Sequence, residues 1–174
     1  MIRYSRTLAL LLALPFSSCQ QAPAVDQGGL PTVPLRIQTA ANQTWALTVE
    51  VAITPADQER GLMQRKALPA GHGMVFPFPL PKTASFWMKD TPLALDLLFV
   101  RPDGTIAAIL PGKPEDLTPI SAGEPVSAVV EIAGGSAAAL GIAAGDHVQW
   151  GNCPTRAPQA GATWDARTFC PALD

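Results

Sequence analysis

Residues 85–100 read SFWMKDTPLALDLLFV and place Lys89, Asp90 and Asp96 inside the most apolar stretch downstream of the N-terminal leader. A strand that only packs has no use for three charges. Asp96 is flanked by Leu95, Leu97, Leu98 and Phe99, so burial is expected, and a buried carboxylate is costly unless it is paired and hydrogen-bonded. The candidate cationic partners are Lys89 and, upstream in TPADQERGLMQR, Arg60 and Arg65. Two arrangements satisfy these residues. In one, an Arg–Asp96 brace ties a helix to a sheet. In the other, helix and sheet bound a cleft in which Arg60, Arg65 and Lys89 donate to an anion, Trp87 forms a stacking wall, and Asp90 and Asp96 add acceptors.

Catalytic chemistry has less to stand on. Asp90 and Asp96 form an acid pair of the kind used on glycosides, and Thr91-Pro92 puts a loop between them. Ser85 and Lys89 suggest a Ser–Lys pair, but four strand residues would separate them by roughly 13 Å. His72 and His147 are the only histidines, and His72 has no nucleophile-elbow motif beside it. Two distant histidines and no ligand spacing among the acids call for no metal, and no cofactor motif is present. GGSAAALG at 134–141 lacks the Lys-Ser/Thr of a phosphate loop and reads as a short helix, with Ser136 as N-cap and Gly141 as its stop.

The chain opens MIRYSRTLALLLALPFSSCQ, with Arg3 and Arg6 ahead of a short apolar run, the pattern of a secretory signal. FSSC resembles a bacterial lipoprotein box, with Phe16 where Leu, Val or Ile is usual. That resemblance implies a signal peptide over 1–18 and lipidation of Cys19. Gln20, in place of the Asp that marks inner-membrane retention, points to the periplasmic face of the outer membrane. Loss of Arg3 and Arg6 would leave 10 basic against 14 acidic residues, which offers nucleic acid nothing. Export makes a disulfide between Cys153 and Cys170 the expected state.

The elements that must position these residues are mostly strands. Residues 19–33 form a Gln-, Pro- and Gly-rich tether, 34–150 one domain, and 151–174 an irregular tail pinned by the disulfide. Short apolar segments between turn signals predict strands over 35–37, 45–53, 73–78, 86–90, 95–100, 105–110, 128–132 and 147–150. Thr54-Pro55 starts a helix that should run to about Gln64, and Asp103-Gly104 makes a hairpin turn. The sum is a β-rich α+β fold, a compact small barrel or sandwich of about seven short strands with one or two short helices.

TPADQERGLMQR, GMVF, FWMKDTPLALDLLFV, DGTI and VVEIAGGSAAALGIAAGDHV follow one another in this order. Together they resemble the bacterial and archaeal family called domain of unknown function 192. The family implies a compact β-rich fold with RGLM on a short helix, and members are often exported and lipid-anchored. It brings no established activity. It often has Asn after the FWMK lysine, where this chain has Asp90. The expectation is a lipid-anchored envelope protein that binds a small anionic or glycan-like ligand or an envelope partner. A hydrolase using Asp90/Asp96 or His72, and a structural or chaperone-like factor, are the alternatives. An open cleft holding an acid of displaced pKa favours the enzyme. An aromatic and arginine-lined pocket without one favours binding, and no pocket favours the structural role.

Overall fold

The computed structural model describes residues 29–153 and 164–171. Cys19, the expected signal peptide and most of the expected tether lie outside them. Alternation sets the first hairpin: Val33, Leu35 and Ile37 of β1 (Thr32–Gln38) point inward between exposed Thr32, Pro34 and Arg36. β1 pairs antiparallel with β2 (Thr44–Val51) across a turn in which Asn42 takes a left-handed φ of 59°. Thr54 then caps α1 (Pro55–Arg60): its hydroxyl accepts from the Asp57 N–H while the Asp57 carboxylate accepts from the Thr54 N–H.

The helix is shorter than its sequence pattern predicts. It stops at Gly61, whose φ is 46° and whose hypothetical Cβ would lie 3.3 Å from the Phe76 ring. Glycine alone allows both that turn and that approach. The chain returns as β3 (His72–Thr83), parallel to β2, then continues through β4 (Leu95–Val100), β5 (Ile106–Gly112), β6 (Pro125–Ala133), α2 (Ser136–Ala139) and β7 (His147–Trp150). One mixed sheet runs β5-β4-β6-β3-β2-β1-β7. Its edges β5 and β7 meet only near the Thr105–His147 bridge, so the sheet curls without closing and is sandwich-like rather than a barrel.

The curled sheet has two apolar faces. The inner one gathers Leu35, Ile37, Val49, Leu98, Val130, Val148 and Trp150. The outer one carries Met74, Phe76, Leu97, Phe99 and Val129, and is covered by Leu62, Phe86 and Met88. β4 is buried along its whole length because both faces are covered, which accounts for the unbroken LDLLFV run.

Two expectations about the backbone need correction. Residues 86–90 are not a strand: Phe86 makes a reciprocal pair of backbone bonds with Ile120, and the chain then turns. Asp90 there has a φ of 51°, a backbone state that Asn and Asp tolerate better than most residues, which explains why either can follow the FWMK lysine. Second, Gly135 rather than Ser136 is the N-cap of α2, and no side chain of its own caps it. The expected Cys153–Cys170 disulfide is present, and the tail also docks on the last strand. Phe169 stacks on Trp150 at 4.4 Å, the Ala166 carbonyl accepts from the Trp150 indole N–H at 3.0 Å, and Ala166 is buried.

Candidate functional site

Where the end of α1 crosses the second half of β3, an open cleft of about 330 Å³ separates the two. Gln58 anchors the helix side, donating to the carbonyls of Ala52 and Pro77 at 3.1 Å each. Glu59 and Arg60 line one flank and Lys82, Thr83 and Ser85 the other, with Phe76 and Phe86 below. The Phe86 ring is fixed edge-on to Phe76 at 5.0 Å and to Phe99 at 6.3 Å. Trp87 is 49% exposed at the mouth, with the Lys89 ammonium 5.5 Å from its ring centre. The Lys82 ammonium lies 4.1 Å over the Phe78 ring.

Glu131 reaches this cleft from β6 and is only 5% exposed. The sheet places it between Met74 of β3 and Leu97 of β4, and neither offers a polar group. Its carboxyl makes no hydrogen bond or ion pair with any described residue. Burial therefore raises its pKa to about 8, from an ordinary value near 4.5. Glu131 is not among the site residues expected from the sequence. The signal was there: one acid in the apolar run VVEIA is as anomalous as Asp96 in LDLLFV.

The predicted site residues divide. Arg60 and Trp87 line the cleft, and Lys89 lies over the Trp87 ring without lining it. Arg65 belongs to a second hollow of about 550 Å³ beyond the same turn, where Lys66 also lies. There it holds Glu50 of β2 in a two-pronged ion pair, with the Nη2–Oε2 contact at 2.6 Å. Asp90 sits in the exposed turn, its backbone carbonyl accepting from the Gln64 N–H at 2.6 Å.

Asp96 faces the other way. Its carboxylate accepts from the N–H groups of Gly135 at 3.1 Å and Ala137 at 2.9 Å, which caps α2 from a neighbouring strand. The expected Arg–Asp96 brace does not form; instead Arg65–Glu50 braces the turn after α1 to β2. Nor do Asp90 and Asp96 share a site, since one is in an exposed turn and the other under α2. His72 opens β3 at the surface, away from the lining of the cleft.

The RGLM turn and the FWMK segment thus wall a single cleft, and the VVEI strand supplies its floor. The profile of the domain of unknown function 192, described as "Uncharacterized ACR, COG1430", matches residues 36–150. The chain belongs to this family. Among solved structures it is similar to a protein of unknown function from Novosphingobium aromaticivorans DSM 12444. The two are 41% identical with a TM-score of 0.69, over 75% of this chain and 94% of that one. It is also similar to a protein from Sinorhizobium meliloti 1021 named as a candidate transcription regulator, at 38% identity and a TM-score of 0.68, over 70% of this chain and 95% of that one. No curated protein matches.

Proposed function

We propose that this member of the domain of unknown function 192 family is a lipid-anchored binding module of the cell envelope. Its cleft takes up a small glycan-like ligand that carries an acidic group. The observation that carries the reading is a largely buried carboxyl, without a partner among the described residues, at the floor of an open cleft with an aromatic wall and a cationic rim. A ligand group is the natural partner for a polar atom left unsatisfied in such a place. Trp87 and Phe86 suit the apolar face of a sugar ring, and Arg60 and Lys82 suit its charge. The anchor rests on the FSSC motif and the leader before it.

Calorimetric titration of the full chain in detergent micelles with glucuronate, galacturonate and N-acetylmuramate tests the reading. Binding of at least one is expected, weakened about tenfold or more by Trp87→Ala and by Arg60→Ala. Absence of binding to any acidic sugar would remove it.

The acid also favours one rival, because a carboxyl held near pKa 8 in an open cleft is what a general acid needs. Glycoside hydrolysis asks for a second carboxylate. Asp90 and Asp96 do not line the cleft, which leaves exposed Glu59 on α1. Binding is therefore the better-supported reading. Turnover of 4-nitrophenyl glycosides that disappears in Glu131→Gln would reverse the preference.

A further inference from the structure

Two glutamates stand on one row of the sheet. Glu50 of β2, Met74 of β3, Glu131 of β6 and Leu97 of β4 are neighbours in register and share the outer face. Two strand spacings, about 10 Å, separate the acids. Glu50 is answered by Arg65. Glu131 has no such partner among the described residues. The charged groups facing it are few: α1 brings Glu59 and Arg60 to the cleft, β3 brings Lys82, and the flanking rows bring only Met74 and Leu97. Arg60 and Lys82 are both exposed at the rim and leave the floor uncompensated. An acid so placed keeps its proton, and a neutral carboxyl has one O–H to give.

We infer, on the reading of the cleft given above, that its floor recognises an oxyanion: the Glu131 carboxyl donates a hydrogen bond to a carboxylate oxygen of the ligand. Arg60 and Lys82 balance the ligand's charge at the rim. An O–H donor to a charged oxygen makes a short bond, roughly twice as strong as one between neutral partners. A cationic ligand would have to pass Arg60 and Lys82 before reaching the floor, and would require Glu131 to ionise.

The two ligand chemistries have opposite proton linkage. An oxyanion needs the protonated acid, so its affinity falls about tenfold per pH unit once Glu131 ionises above about 8. A cation needs the ionised acid, so its affinity rises with pH up to that point. His72, at the surface start of β3, and His147, in a hollow with Arg36 and Gln149, lie outside this cleft.

The experiment is calorimetry on the full chain at pH 6 and pH 9 with three probes: glucuronate, glucose, and choline, whose charge is fixed. Wild type should bind glucuronate about tenfold more weakly at pH 9 than at pH 6. It should bind glucose weakly at both, with no preference for choline. Glu131→Gln, which keeps a donor but cannot ionise, should bind glucuronate equally at the two pH values. Equal wild-type affinity for glucuronate at both would overturn the role of Glu131 while leaving the cleft a sugar-acid site. Choline binding that strengthens with pH would overturn the oxyanion assignment. Failure of glucuronate and glucose to bind at either pH would overturn the glycan reading itself.

Discussion

Asp96 lies beside Ile132 and Glu131 beside Leu97, so two carboxylates occupy neighbouring rows of the sheet on opposite faces. Asp96 is satisfied by two backbone N–H groups, one on each oxygen. Asp96→Asn replaces one acceptor with a donor that faces another N–H. We expect a loss of about 1–3 kcal/mol in a urea unfolding titration, the range for a buried polar group left unpaired. Glu131 has the reverse sign. The unfolded chain releases its proton near 4.5 and the folded protein near 8, so the native state binds more protons in between. This group's stability term is therefore fully present below about pH 4.5 and is lost as pH rises through 8. Unfolding midpoints of wild type and Glu131→Gln, compared at pH 5 and pH 8, should show wild type losing ground to the variant as pH rises. Asp96 announced itself in the sequence as an acid among leucines, and its burial could be read there. Its partners could not, because two N–H groups at the start of a four-residue helix leave no mark in the charge pattern.

At the level of the elements, Arg65 ties the turn after α1 to β2 through Glu50, both largely buried. Arg65→Ala should cost about 3 kcal/mol by chemical denaturation, because it strands a carboxylate in the sheet. Thr54→Ala, which removes one half of the capping box, should cost about 1 kcal/mol. Elements with strong local signals were legible in the sequence: Thr54-Pro55 at the start of α1, the His147–Trp150 strand, and the Asp103-Gly104 turn. The misreadings share a cause. FWMKD has the alternation of a strand, but its Met88 is buried under the outer face and its backbone bonds go to Ile120 and Asp116, which no local pattern reveals. RGLM continues a helical period, but the chain leaves the helix at Gly61 with a φ of 46°, at a place where any Cβ would meet the Phe76 ring, 15 residues on in the chain. Of the candidate site, the aromatic and arginine walls could be named in advance. The floor could not, because the strand that carries it follows more than 30 residues after FWMK.

Taken as a whole, the molecule wraps its sheet around the inner face and docks the tail against the last strand. Opening the Cys153–Cys170 bond, by reduction or Cys170→Ser, should lower stability by about 3 kcal/mol, the chain-entropy scale for a loop of this size. Faster hydrogen exchange at the Trp150 backbone and indole N–H groups, which bond to Phe169 and Ala166, would report release of the tail. The strands β3, β4 and β6 serve two apolar compartments at once: alternate side chains fill the inner core or the outer one, and the cleft takes Phe76, Phe78 and Glu131 from the outer set of β3 and β6. In β3 and β6 the inner core and the floor of the cleft thus fall on positions of opposite parity. A redesign of the cleft can leave the inner core untouched but has to spare Met74, Leu97, Phe99 and Val129, which the outer core buries, and a slip of one position in β6 would exchange the two sets and destroy both.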